Sequence, residues 1–151
     1  MHATLRRKVR QSDHMTMSPH DLIAVGDFLH SADARKEHYL RAAVSRYYYA
    51  AYWALMPISA GLPAPENERA IGVHARLIAR FLSFEGSDKA LFHKMGKEFQ
   101  RLKAARVWAD YNPDDRVPAA LSTESRARVL RILGWCRMAM AGAGGRSGDV
   151  S

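Results

Sequence analysis

The stretch RAAVSRYYYAAYWAL, Arg41 to Leu55, decides how this chain folds. Five of the six tyrosines lie between Tyr39 and Tyr52, and Arg46 stands among them. Leu40, Ala43, Val44, Tyr47, Ala51, Ala54 and Leu55 follow one another at helical spacing and make one continuous apolar face. Ala42, Tyr49, Trp53 and Met56 make a second face. A helix apolar on two sides is the centre of a bundle, or packs its own core on one side and a partner on the other. Phenols are unusual in such number inside a core because each buried hydroxyl needs a hydrogen-bond partner, and a buried guanidinium needs a counter-charge. The stretch predicts a central helix with one face in the core and part of the other near a cleft. Arg46 is expected to pair with a carboxylate, Asp110 first among them.

The flanking segments are helical too, and none shows the alternation of a strand. Ser18 as N-cap, Pro19 in the first position and Asp21 at the positive dipole end predict a helix over about 19–32, with Leu22, Val25, Leu29 and Ala32 inward. The tyrosine helix is expected over about 34–56, stopped by Pro57. GLPAPENE reads as a loop. A third helix is predicted over about 69–84, with Ile71, Leu77, Ile78, Phe81 and Leu82 apolar. A fourth is capped by Ser87 and reaches Tyr111, before Asn112-Pro113. A fifth spans about 123–140, with Val129, Ile132, Leu133, Cys136 and Met140 on its stripe. The fold class is therefore all-α, an up-and-down bundle of about five helices over 18–140. A basic leader (1–17) precedes it, and a glycine-rich tail (141–151) is expected to be disordered.

At 151 residues, with 48% apolar and 25% charged, one soluble domain is the simplest expectation. The single cysteine, Cys136, excludes an intramolecular disulfide and a cysteine-based zinc site. No apolar run approaches the roughly 18–20 residues of a membrane span, so no membrane partner is expected and a cytoplasmic home fits. The net charge of +8 draws the chain toward polyanions, although Arg6, Arg7, Lys8 and Arg10 all lie in a leader that Met15 or Met17 could replace as the start.

On the fourth helix Phe92, Met95, Phe99 and Leu102 make an inward stripe that continues onto Arg106 and Ala109. Asp110 lies one turn beyond Arg106. Two readings stand side by side: a semi-buried Arg106–Asp110 ion pair, or an arginine held at a groove where its planar fork grips phosphate. His74 follows Arg69 at a spacing that chance supplies readily among seven histidines. It either packs or caps, or reaches a nucleic acid. His30, His38 and His93 have no partner at ligand spacing, so no metal and no cofactor is expected. Ser45 and Cys136 have no evident base, and no glycine-rich phosphate loop is present.

These residues carry a resemblance. RAAVSRYYYAAYWAL resembles the second helix of the HEPN superfamily, and LKAARVWADYNPDD resembles the late-helix signature of one small bacterial HEPN branch. Between them lie a proline-rich loop, a helix with an early histidine (His74) and a long helix, in the matching order. The resemblance covers about Pro19 to Met140. It implies a homodimer with the functional motif lining a cleft between protomers, and an RNA target. It also implies a place as the toxin of a bacterial toxin–antitoxin pair with a nucleotidyltransferase-like antitoxin. If active, such a chain would be a metal-independent endoribonuclease. The family's Arg-x(4–6)-His motif puts its arginine at Arg106, but its histidine position falls at Tyr111, and no histidine follows Arg106. Cleavage through the 2′-hydroxyl wants an acid and a base near neutrality, which tyrosine does not supply.

The residues carried over are thus Arg106, Asp110 and Tyr111 for catalysis, and Arg46, His74 and Arg106 for nucleic-acid contact. The catalytic role does not transfer to the literal Arg69–His74 pair on the earlier helix. The alternative is a non-catalytic helical module that dimerises or docks onto a partner, having lost the catalytic histidine. A third reading, an enzyme acting on a small nucleotide, has no specific feature behind it.

Overall fold

The computed structural model describes residues 17–33, 36–66, 68 and 71–144. Among these the regular structure is helical throughout: α1 (Pro19–Ala32), α2 (Glu37–Ala60), α3 (Val73–Leu82), α4 (Lys89–Tyr111) and α5 (Ala119–Gly144). The tyrosine helix α2 is the centre, packing against each of the other four.

Helix α1 begins as its sequence requires. The Ser18 hydroxyl accepts from the Asp21 N–H at 3.2 Å, and the Asp21 carboxylate accepts from the Ser18 N–H at 2.7 Å, a complete capping box. Its inward face is rotated from the expected one. Leu22, Ile23 and Gly26 are buried while Val25 is exposed. Gly26 carries no hydrophobic signal, yet α2 comes closest there: a methyl group at Gly26 would lie 2.5 Å from the Tyr47 ring.

Helix α2 does not stop at Pro57 but continues to Ala60. A proline costs one hydrogen bond and a clash with the preceding turn. Here only the last turn follows it, and packing holds that turn: Ser59 is buried, and Arg80 donates to the Ser59 carbonyl at 3.0 Å. At the other end, Arg41 donates to the Ala109 carbonyl at 2.7 Å, to that of Asp115, and to Glu37 at 2.8 Å. Glu37 in turn accepts from the Val117 N–H at 2.7 Å, so one ion pair on α2 fixes the α4–α5 connection.

Other boundaries differ from the sequence reading as well. Helix α3 starts at Val73, because Gly72 before it is extended (φ −67°, ψ 164°). Arg69 lies outside the described residues. Asp88, not Ser87, occupies the N-cap position of α4. Helix α5 begins four residues before Thr123, whose hydroxyl turns back to the Ala119 carbonyl at 3.3 Å instead of capping. It also extends through 141–144, contrary to the expectation of a disordered tail from residue 141, although Gly142 and Gly144 are poor helix formers. Met140 is exposed at that end, off the core stripe. Residues 1–16 of the leader and residues 145–151 lie outside the described residues.

The core joins Tyr47, Tyr48, Ala51 and Leu55 of α2 to Phe81 of α3, Met95, Phe99 and Leu102 of α4, and Val129, Ile132 and Cys136 of α5. A smaller cluster of Leu40, Val44, Ala105, Ala109 and Val117 closes the end where Arg41 sits.

Candidate functional site: an arginine enclosed by tyrosines

Tyr47 and Tyr48 are adjacent in sequence and turn toward different neighbouring helices, and both are almost completely buried. Each hydroxyl has a partner, as burial requires. Tyr47 donates to Asp27 at 2.7 Å, and Arg126 grips the same carboxylate through two bonds of 2.7 and 3.1 Å. Tyr48 shares a hydrogen bond of 2.7 Å with Nδ1 of His74, the second residue of α3. Asp27 thus links α1 to α2 through Tyr47 and to α5 through Arg126, and Tyr48 links α2 to His74 of α3 and Phe99 of α4.

Arg106 continues the inward stripe of α4, as its spacing predicts, and its side chain is only 13% exposed. The guanidinium carbon lies 5.1 Å from the Tyr48 ring centre, 5.2 Å from Tyr49 and 5.7 Å from Tyr111, within cation–π range of all three. Its Nε donates to Asp110 at 3.1 Å and one Nη to the Tyr111 hydroxyl at 3.3 Å. Burial opposes the charge. The neighbouring tyrosines and the Asp110 carboxylate outweigh it, and the arginine is held firmly cationic. Of the two sequence readings, the ion pair with Asp110 is the one present. With five N–H donors in the fork, the bonds to Asp110 and Tyr111 leave capacity for an anion.

His74 stands within this ring. Its imidazole centre is 4.6 Å from Tyr52, 5.5 Å from Tyr48 and 6.3 Å from Tyr49. Desolvation, then the positive charges of Arg106 and Lys103, hold its pKa below the ordinary histidine value. Phe99 stacks on Tyr48 at 5.0 Å and floors the site. Tyr111 and Asp110 form the exposed rim.

The residues expected for catalysis, Arg106, Asp110 and Tyr111, are therefore together, and His74 is brought to them from another helix. Arg46 is not. It is exposed and makes no ion pair among the described residues, and Asp110 is already engaged by Arg106. Arg46 follows Ser45 and precedes Tyr47, and that angular position on α2 faces water. Cys136 is buried against the Ala54 carbonyl, and burial pushes its thiol up to about 11, which leaves it inert. His30 bonds Ser122 at 2.9 Å and His93 bonds the Phe84 carbonyl at 3.1 Å, both structural roles.

Sequence reasoning missed Glu98. This carboxylate is buried on α4 and receives Arg101 at 2.7 Å, Arg128 at 3.0 Å and Arg131 at 3.0 Å. Burial alone would raise its pKa; the three guanidiniums outweigh that and lower it. The signal was present: Glu98 falls between Met95 and Leu102 on the inward stripe, where a carboxylate needs partners, and Arg128 and Arg131 are one turn apart on α5.

No protein-family pattern, curated protein or solved structure matches this chain.

Proposed function

We propose that this chain is an RNA-directed protein of the HEPN kind, with Arg106 as its phosphate-gripping residue. The observation that carries the proposal is the sheltered cation: an arginine side chain 13% exposed, its guanidinium within cation–π reach of three tyrosines and bonded to Asp110 and Tyr111. A planar fork pre-oriented in this way suits a phosphodiester. Tyr111 is 64% exposed, so its ring is available for a base to stack on. Asp110 and the Tyr111 hydroxyl orient the fork. The basic net charge favours the approach of such a ligand. A homodimer with the groove at its cleft, and a nucleotidyltransferase-like antitoxin as partner, belong to the same proposal.

The test is purified protein with total RNA in the absence of metal, read for both binding and cleavage, beside Arg106→Ala. The variant is expected to lose at least tenfold in affinity and all cleavage. Binding or cleavage that survives the substitution overturns the site.

A second reading, a non-catalytic module that dimerises or docks, is favoured by Trp53 and Met56, which are 45% and 50% exposed on the outer face of α2. RNA binding that depends on Arg106, without turnover, would fit that reading as a binding module.

A further inference from the structure

An arginine, an aspartate paired with it and a tyrosine can hold a phosphodiester, but none of them takes up a proton readily near neutral pH. Among the described residues at this site one side chain can: His74 of α3, which contacts Tyr48. Its Nδ1 is 2.7 Å from the Tyr48 hydroxyl, and the ring of that same tyrosine lies 5.1 Å from the Arg106 guanidinium. Tyr48 thus joins the histidine of one helix to the arginine of another through a single rigid, buried phenol.

We propose that His74 is the proton-accepting catalytic residue of the Arg106 site, acting on single-stranded RNA; the inference rests on the RNA-directed reading of that site. In the tautomer it requires, Nδ1–H donates to the Tyr48 oxygen and Nε2 carries the lone pair. Nε2 takes the proton of a ribose 2′-hydroxyl, and the freed oxygen bonds to the phosphorus held by Arg106. The bond from phosphorus to the 5′-oxygen breaks, and that oxygen takes a proton from water. The products are a 2′,3′-cyclic phosphate and a 5′-hydroxyl, and His74 then returns its proton to solvent. No metal and no oxidant enters the balance.

The surroundings suit a base. The groups facing the imidazole are Tyr48, Tyr49 and Tyr52 from α2, with Arg106 and Lys103 from α4. No carboxylate contributes to its electrostatics: desolvation, then the charges of Arg106 and Lys103, favour the neutral imidazole. Burial keeps Tyr48 a phenol throughout, so its hydroxyl remains a fixed orienting group.

The experiment follows cleavage of a fluorophore-labelled single-stranded oligoribonucleotide between pH 4.5 and 8.5, with binding measured separately at each pH. Wild-type protein is expected to show an acidic limb with its midpoint below about 6.5, the unperturbed histidine value. His74→Gln is expected to lower kcat by about 10²- to 10⁴-fold, the usual share of a positioned base. It should erase that limb while changing RNA affinity less than threefold. Added imidazole is expected to restore part of the activity of His74→Ala, which a purely structural role would not allow. Tyr48→Phe, which keeps the ring, should lower kcat with affinity retained. An unaltered acidic limb in His74→Gln overturns the inference. Binding that depends on Arg106, with no cleavage by wild-type protein, also overturns it but leaves the RNA-directed reading intact. Binding indifferent to Arg106→Ala removes the reading itself.

Discussion

A buried phenol is tolerable only when its hydroxyl is matched, and this chain matches two of them in different ways. Tyr47 meets a carboxylate and Tyr48 an imidazole. Tyr48→Phe leaves the His74 nitrogen without its partner and is expected to cost about 1–2 kcal/mol in denaturant unfolding. The histidine also makes stability depend on pH. Its folded pKa lies below the unfolded one, so stability is complete above about 6.5 and falls as pH drops from there through the folded value. Thermal melts between pH 7 and 5 should show this decline in wild type and lack it in His74→Gln. A wild-type Tm that stays flat across this window would contradict the burial of His74. At Arg46 the opposite holds. Because that side chain is exposed and unpaired among the described residues, Arg46→Ala should leave the Tm within a degree or two, contrary to what its place among the tyrosines implied.

Elements meet here through small contacts that hydrophobic periodicity does not record. Gly26 lets α1 settle against Tyr47, and Gly26→Ala forces a ring to move inside a packed core. The expected loss is about 1–3 kcal/mol, read as a Tm several degrees lower. Pro57 illustrates the converse. It sits exposed in the last turn of α2, where little helix remains to be disrupted. Pro57→Ala should therefore be neutral or stabilising by thermal melt; a clear loss would mean that the proline sets the path into the loop. Between α4 and α5 the decisive contact is Glu98 with its three arginines. Glu98→Ala leaves them repelling one another and is expected to cost on the order of 3 kcal/mol. Since the Glu98 pKa is lowered in the folded state, this contribution is present above the ordinary carboxylate range and lost as pH falls through the lowered value.

For the molecule as a whole, α2 is both the hub of packing and one wall of the candidate site. The core and the candidate site thus share residues: Tyr48 lies in the core cluster, bonds His74 and has its ring beside the Arg106 guanidinium. The net charge of +8 adds an attraction to any polyanion that has no geometry of its own. A salt titration separates the two. Each phosphate contact contributes about 0.7 to the slope of log affinity against log salt for single strands. Arg106→Ala is expected to reduce that slope by roughly this amount, whereas deletion of residues 1–16 should lower affinity without changing its dependence on Arg106.

The helices were legible because their signals are local. Pro19 after Ser18, the spacing of Phe92, Met95, Phe99 and Leu102, and the two-sided tyrosine stretch each constrain the backbone within a few residues, so an all-helical fold with a central second helix followed from the sequence. The same spacing turned Arg106 inward. Partners distant along the chain were not legible. That His74 bonds Tyr48, that Glu98 gathers Arg128 and Arg131, that Asp110 serves Arg106 and leaves Arg46 in water, and that α2 outlasts Pro57 are all results of helices packed side by side. Side-chain periodicity says which face of a helix turns inward, but only the assembled bundle decides what each buried charge or hydroxyl meets there.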